Sequence, residues 1–119
     1  MKRQGSQPHF SWETIFEKYD PPLYKDFRTW SRRAEATAAL DAKARELISV
    51  ALAAVVALPS PDIERHIHAA IDAGATRQEL VETILIAGNT GGGRGHAMNH
   101  GFTALGGVIS ERVAAGLDT

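Results

Sequence analysis

The chain contains no cysteine among its 119 residues. Without a thiol it can form no disulfide framework and no thiolate metal site, and it has no thiol nucleophile. Its formal net charge is only −1. No basic stripe is present to follow a phosphate backbone, so we expect no nucleic-acid partner. These absences restrict any chemistry to oxygen and nitrogen groups.

Long hydrophobic runs are also missing. The longest, residues 47–58, is too short to cross a bilayer. The polar stretch 1–9 contains no apolar segment of the kind that a secretory signal requires. A chain without cysteine is compatible with a reducing compartment. The sequence therefore predicts a cytoplasmic protein with no membrane partner.

Aromatic residues are few and unevenly placed. Of the two Trp, two Tyr and four Phe, seven lie in the first thirty residues: Phe10, Trp12, Phe16, Tyr19, Tyr24, Phe27 and Trp30. Because aromatic side chains mostly serve burial, we interpret this segment as a hydrophobic cover for a helical core. The alternative is a lid over a pocket or an arm that docks on a neighbouring subunit.

The length predicts a single domain. Residues 1–10 are expected to be a disordered or arm-like N-terminus, 11–36 a pair of aromatic-rich helices, and 37–119 a helical core. No alternating strand pattern occurs, so the fold class is all-α, with about six helices. The predicted helices are 12–18, 22–36, 41–57, 61–73, 76–88 and 96–115. The predicted end signals are N-caps at Ser11, Asp41, Ser60 and Thr76 and a left-handed glycine at Gly74.

The helix that contains residues 47–58 is apolar on nearly all sides. Such a helix needs cover on all sides, and one short domain has few elements to provide it. We therefore expect a homo-oligomer.

The most informative segment is the helix predicted for 61–73, because a histidine lies on its apolar face. That face is formed by Ile63, His66, Ile67, Ala70 and Ile71. Glu46 opens the apolar part of the preceding helix, so Glu46 and His66 could form an acid–base pair. Alternatively, His66 is a core histidine bonded to a backbone carbonyl, and Glu46 is a helix-start carboxylate favoured by the dipole. His68 lies off this face and is expected to be exposed.

A glycine-rich loop at 89–95 leads into the last predicted helix and carries Arg94. Free backbone amides and a guanidinium suit a substrate carboxylate, although a flexible connector would have the same composition. His96 and His100 follow at a spacing of four and could face the same substrate. The His-Glu-x2-His signature is missing, so we predict no metal site. Asp62, in a helix first turn, is a further substrate-binding candidate, although the helix dipole explains it equally well.

Two residue patterns resemble the carboxymuconolactone decarboxylase family, which includes the alkylhydroperoxidase-D-like proteins. The first is Arg45-Glu46-Leu47-Ile48 followed by an Ala/Val helix. The second is His66-x3-Ala70-x3-Gly74-Ala75-Thr76-x2-Glu79-x2-Glu82. The resemblance covers roughly residues 20–115. It implies an alkylhydroperoxidase-D-like helical bundle whose subunits assemble as intertwined oligomers, with a trimer or hexamer favoured here.

The resemblance also carries expectations about chemistry. The peroxidase branch has Cys-x2-Cys-x3-His, and its two cysteine positions correspond here to Pro59 and Asp62, so peroxidase activity is not expected. The decarboxylase branch uses no cofactor. The resemblance thus implies a cofactor-free lyase or decarboxylase acting on a small lactone or keto acid that carries a carboxylate, with His66 and Glu46 as catalytic residues. Another lyase, a hydratase, an isomerase or a non-enzymatic ligand-binding or assembly subunit are the alternatives.

Overall fold

A computed structural model describes residues 12–37, 39–91 and 94–117. These residues form six helices and no strand, which confirms the all-α prediction. The helices are α1 (Trp12–Tyr19), α2 (Pro21–Ala36), α3 (Ala42–Val56), α4 (Ser60–Asp72), α5 (Arg77–Thr90) and α6 (Arg94–Ala114). The predicted arm 1–10 and the predicted cap Ser11 lie outside the described residues. The chain divides into two compact units, Met1–Ala39 and Leu40–Thr119.

In the first unit, α1 and α2 pack through their aromatic rings. The Phe16 and Tyr24 centroids are 5.2 Å apart and those of Trp12 and Phe27 are 5.5 Å apart, both edge to face. Asp20 caps α2, because its Oδ1 accepts the amide hydrogen of Leu23 at 3.1 Å. This aspartate, which lies between the predicted helices 12–18 and 22–36, is thus the start signal of the second one. Neither helix contains a buried residue.

In the second unit, α3 and α6 each contact the other three helices and form the centre of a four-helix core. The largest fully buried side chains are Val50, Ile63, Ile67, Leu80, Ile84 and Val108. They come from all four helices at helical spacing, as the apolar periodicity predicts. Within the described part of the chain, no helix combines the length and apolarity needed to cross a membrane.

The apolar periodicity of the sequence predicts Leu85 on the buried face of α5 and Val113 in the apolar stripe of α6, but both side chains are exposed. Leu85 is 39% exposed and Val113 is 55% exposed. Small residues take the buried positions, among them Ala87 on α5 and Gly101 on α6. A Cβ built on Gly101 would lie 2.8 Å from Cγ2 of Ile84, so α5 and α6 approach too closely there for a larger residue.

The helix ends of the second unit largely follow their sequence signals. The Asp41 carboxylate accepts the amide hydrogen of Ala44 at 2.8 Å, Thr76 and Glu79 form a reciprocal capping box, and Gly74 has a φ of 103°. The prediction that Ser60 is an N-cap is wrong. Pro59 occupies that position without a side-chain cap, and Ser60 is the first helical residue.

The capping box gives Glu79 a pH-dependent role. Its pKa lies below the ordinary value of 4.5, first because the Thr76 amide donates to the carboxylate and second because Lys43 does. A lowered pKa means that this carboxylate stabilises the fold above pH 4.5 and loses its contribution as the pH falls below that value. Urea unfolding from pH 3 to 7 should therefore show wild type and Glu79→Gln differing most near neutrality and converging in acid.

A matched control is Thr76→Ala, which removes the hydroxyl cap but keeps the backbone donor to Glu79. It should lower the free energy of unfolding by about 1 kcal/mol near neutrality and keep most of the acid dependence. A constant difference between wild type and Glu79→Gln across this pH range would contradict the assignment.

The turn between α3 and α4 is made by a left-handed alanine. Ala57 has φ 58° and ψ 52°, and the Leu58 amide bonds back to the Ala53 carbonyl at 3.0 Å. Glycine is the residue that usually adopts this conformation, because a Cβ there is strained. The same turn directs the Leu58 carbonyl to α6.

Ala57→Gly should therefore raise the free energy of unfolding by up to about 1 kcal/mol, since it relieves left-handed strain that outweighs the added freedom of the unfolded chain. The measurement is equilibrium urea unfolding. In the control Ala69→Gly, inside α4, the same exchange should destabilise by about 1 kcal/mol, because the backbone there is helical. Equal losses in both variants would show that Ala57 is not strained.

Candidate active site

Two neighbouring helices bring an acid and an imidazole into contact. Glu46 lies on α3 and His66 on α4, twenty residues apart in sequence. Nδ1 of His66 lies 2.9 Å from Oε1 of Glu46. The helices are held in register by buried neighbours of each residue, Val50 on α3 and Ile63 and Ile67 on α4, all 0% exposed. The structure thus joins the two residues that the sequence suggested as an acid–base pair.

This contact assigns the hydrogen on the neutral imidazole. A carboxylate can only accept hydrogen bonds, so Nδ1 of His66 carries the hydrogen and donates it to Glu46. The lone pair is then on Nε2, and no protein partner of Nε2 is found within the part of the chain that the structure describes. The arrangement fixes the ring and leaves one basic nitrogen to act on a ligand.

The pair is partly shielded. The side chain of His66 is 25% exposed and that of Glu46 is 30% exposed. These values place the pair at the edge of the apolar core. A small molecule can therefore reach the ring, while the packed helices limit how much water surrounds it.

The other four predicted site residues are not brought into contact with this pair by any described interaction. Asp62 lies in the first turn of α4, where its carboxylate accepts from Arg65 at 3.3 Å. His96 is exposed on α6. Arg94 is the first residue of α6, and its side chain lies outside the described part of the structure.

His100 has a structural contact. Its Nε2 donates to the backbone carbonyl of Leu58 in the turn between α3 and α4. The bond links α6 to the segment that separates the Glu46 helix from the His66 helix. His100 therefore positions that turn.

The expectation that His68 is exposed is wrong. Its side chain is 30% exposed and is held between two residues of α6. Nη1 of Arg112 donates to Nδ1 of His68 at 3.0 Å, and Nε2 of His68 lies 3.2 Å from Glu111. Arg112 also bonds Asp72 at 3.0 Å and is itself only 12% exposed. This polar cluster joins α4 to the end of α6 on a side of α4 other than that of His66.

Sequence reasoning missed this cluster because Arg112 lies 44 residues from His68. One signal was available in the sequence. His68 and Asp72 are four residues apart and therefore lie on the same face of α4, where one guanidinium can bond both side chains. Among the described side chains, no three His, Asp or Glu residues converge as metal ligands.

The helical core carries a carboxylate–imidazole pair and the chain has no thiol, so the chemistry that this arrangement can support is acid–base chemistry. The model of the carboxymuconolactone decarboxylase family matches residues 21–105, which is more than half of the chain. The protein therefore belongs to the carboxymuconolactone decarboxylase family. Searches of curated proteins and of solved structures each found no significant match.

Proposed function

We propose that the protein is a cofactor-free lyase that decarboxylates a small lactone or keto acid carrying a carboxylate. The observation that carries this proposal is the 2.9 Å contact between Nδ1 of His66 and Glu46. It leaves Nε2 as the nitrogen that exchanges a proton with the substrate. Membership of the family supports a decarboxylase of this type, while a fold alone does not determine a reaction.

The proposed step is a proton transfer at carbon. The bond between the substrate carbon and its carboxylate breaks, CO2 leaves, and the electron pair remains on the carbon. Nε2 of His66 takes up a proton from solvent before the bond breaks. His66 then gives this proton to the carbon and returns to the neutral form, so that a hydrogen replaces the carboxylate. The Glu46 carboxylate stabilises the imidazolium before the transfer and holds the Nδ1 hydrogen afterwards.

Substrate binding is proposed for the residues around the start of α6. Arg94 and the free amides of that helix start would hold a carboxylate, because both favour negative charge. His96 would contact the substrate from its exposed position on the same helix. Asp62, at the start of α4, and His100, on α6 against the turn that precedes α4, complete the proposed set.

We also propose a cytoplasmic homo-oligomer, with a trimer or hexamer favoured. The support is an exposed apolar surface, which we call the α3/α5 face. Ile48, Leu52 and Val56 of α3 are 47%, 61% and 63% exposed, and Ile86 of α5 is 61% exposed. A cavity of about 180 Å³ lies beside them, lined by Leu47, Ile48, Ala51, Thr83 and Ile86. Exposed apolar surface of this kind typically marks a protein interface, and an oligomer would exclude water from nearby chemistry.

The test is a panel of small carboxylated lactones and keto acids given to the purified protein. CO2 release and ultraviolet absorbance are followed together. Decarboxylation predicts that CO2 appears in step with the absorbance change. An absorbance change without CO2 would indicate a hydratase, an isomerase or another lyase on the same scaffold. A correctly assembled protein that turns over no panel member would favour a ligand-binding or assembly subunit.

A further inference from the structure

The two contacts of His68 determine where the hydrogen of its ring lies. A guanidinium can only donate hydrogen bonds, so Nδ1 of His68, which lies 3.0 Å from Nη1 of Arg112, carries a lone pair. An ionised carboxylate can only accept, so Nε2, which lies 3.2 Å from Oε1 of Glu111, carries the hydrogen. Together these contacts define one tautomer of the neutral imidazole. The observed arrangement therefore requires an uncharged His68.

Protonation of His68 would turn its contact with Arg112 from attraction into repulsion. Nδ1 would gain a hydrogen and could no longer accept one from the guanidinium. The side chain of Arg112 is only 12% exposed, so little water would screen the two positive charges from each other. Imidazole is the side chain that ordinarily changes its charge between about pH 5 and pH 8. The contact is therefore sensitive to pH.

Charged groups face His68 from both helices. Glu111 of α6 would bind an imidazolium more strongly than a neutral ring, so that contact survives protonation. Asp72, one turn along α4, accepts from Nη2 of Arg112 at 3.0 Å. Glu64, one turn in the other direction, has its carboxylate against α6. These carboxylates favour an imidazolium, and among these groups only Arg112 opposes it. Protonation would thus displace Arg112 and leave His68 on Glu111.

The surroundings of Arg112 give this displacement a direction. Its Nε is buried and has no hydrogen-bond partner among the described residues. A buried donor without a partner costs free energy, and it gains water once the side chain moves outward. The carboxylates of Asp72 and Glu111 are each 68% exposed, so both can bind the guanidinium at the protein surface. An exposed position is thus available to Arg112 when His68 no longer accepts from it.

Arg112 also takes part in ending α6. Its backbone carbonyl accepts the amide hydrogen of Leu117 at 2.9 Å, and Gly116 between them has a φ of 80°. Such a bond across a left-handed glycine is a common way to close the C-terminal end of a helix. The last turn of α6 is therefore bonded to the same residue whose side chain binds α4.

We propose that His68 and Arg112 form a pH-dependent clamp between α4 and the end of α6. Neutral His68 holds the guanidinium between the two helices and keeps the last turn of α6 against α4. When His68 takes up a proton from solvent, the guanidinium moves to Asp72 and Glu111 at the surface, and the last turn of α6 loosens. The clamp lies on a side of α4 other than that of His66 and is separate from the proposed reaction.

The test is hydrogen exchange of the isotope-labelled full chain, followed by nuclear magnetic resonance between about pH 8 and pH 5. The probes are Nε–H of Arg112 and the backbone amide of Leu117. Each rate is divided by the rate of the same group in an unfolded peptide at that pH, which gives its protection. Protection of both probes should fall about tenfold or more toward acid, the equivalent of one hydrogen bond to a charged group. The fall should follow the titration of His68, read from its ring protons.

Two variants identify the titrating group. In His68→Gln the amide can accept from Arg112 and donate to Glu111 without gaining a charge, so both probes should stay protected throughout. In Glu111→Gln the imidazolium loses its anionic partner, so the His68 titration and the fall in protection should move together to lower pH. The matched control His96→Gln removes an exposed histidine at the other end of α6 and should keep the wild-type response.

Several results would overturn the clamp. They are constant protection in the wild type, a pH response that persists in His68→Gln, a His68 ring that does not titrate in this range, and a change at Arg112 without one at Leu117. None of these results depends on turnover, so the clamp and the proposed reaction can fail separately.

Discussion

His66→Asn is expected to lower kcat for the true substrate by about 10²–10⁴-fold, the usual contribution of a general acid or base. Asparagine can keep a hydrogen bond to Glu46 in place of Nδ1, but it has no counterpart of Nε2. The variant therefore removes the proton-transferring nitrogen while it preserves the contact that joins α3 to α4. The measurement is steady-state CO2 release with the substrate found in the panel.

The control for this change is His68→Gln on the same helix. His68 contacts Glu111 and Arg112 of α6 and has no part in the proposed reaction, so kcat should stay within a few-fold of wild type. Glu46→Gln should have a smaller effect than His66→Asn, because an amide oxygen still accepts the Nδ1 hydrogen. A larger effect of Glu46→Gln would make Glu46 the proton-transferring group. Full activity in His66→Asn would refute the mechanism.

Gly101→Ala is expected to destabilise the protein by about 1–3 kcal/mol, the usual range for overpacking a core. The added methyl group would lie 2.8 Å from Cγ2 and 3.1 Å from Cγ1 of Ile84. Ile84 is 0% exposed and has no room to withdraw, so α5 and α6 must move apart. Thermal and urea unfolding monitored by circular dichroism measure the loss.

The same exchange five residues further along α6 should have the opposite sign. A Cβ on Gly106 would meet no atom within 4 Å. Gly106→Ala therefore gains helix propensity alone and should stabilise by about 0.5–1 kcal/mol. If both alanines stabilise, the close approach at Gly101 is not a constraint on the fold.

Much of the fold could be predicted from local signals. Asp41, Thr76 and Gly74 act where their side chains or backbone freedom suggest, because capping depends on nearby atoms. The predicted burial of Leu85 and Val113 is wrong. Apolar periodicity identifies hydrophobic positions along a helix but takes no account of side-chain size. Where two helices approach closely, glycine and alanine occupy the contact and larger apolar residues turn outward.

The acid–base pair was predictable because a histidine interrupts an otherwise apolar face and a family pattern supplied Glu46. The contact itself depends on how α3 packs on α4, which spacing alone does not give. The bond from Arg112 to His68 could not be predicted either, because it depends on how α6 packs on α4 and its partners are far apart in sequence. The prediction that His68 is exposed considered only the faces of its own helix, α4, whereas residues of α6 cover its side chain.

The bond from His100 to the Leu58 carbonyl connects the first half of α6 to the turn between the two helices that carry Glu46 and His66. A displacement of α6 would be transmitted through this turn to both flanking helices, and hence to the gap between carboxylate and imidazole. Binding of an anion where α6 begins and the strength of the Glu46–His66 hydrogen bond would then be reciprocally coupled. Occupancy of that helix start would therefore tune proton transfer at His66.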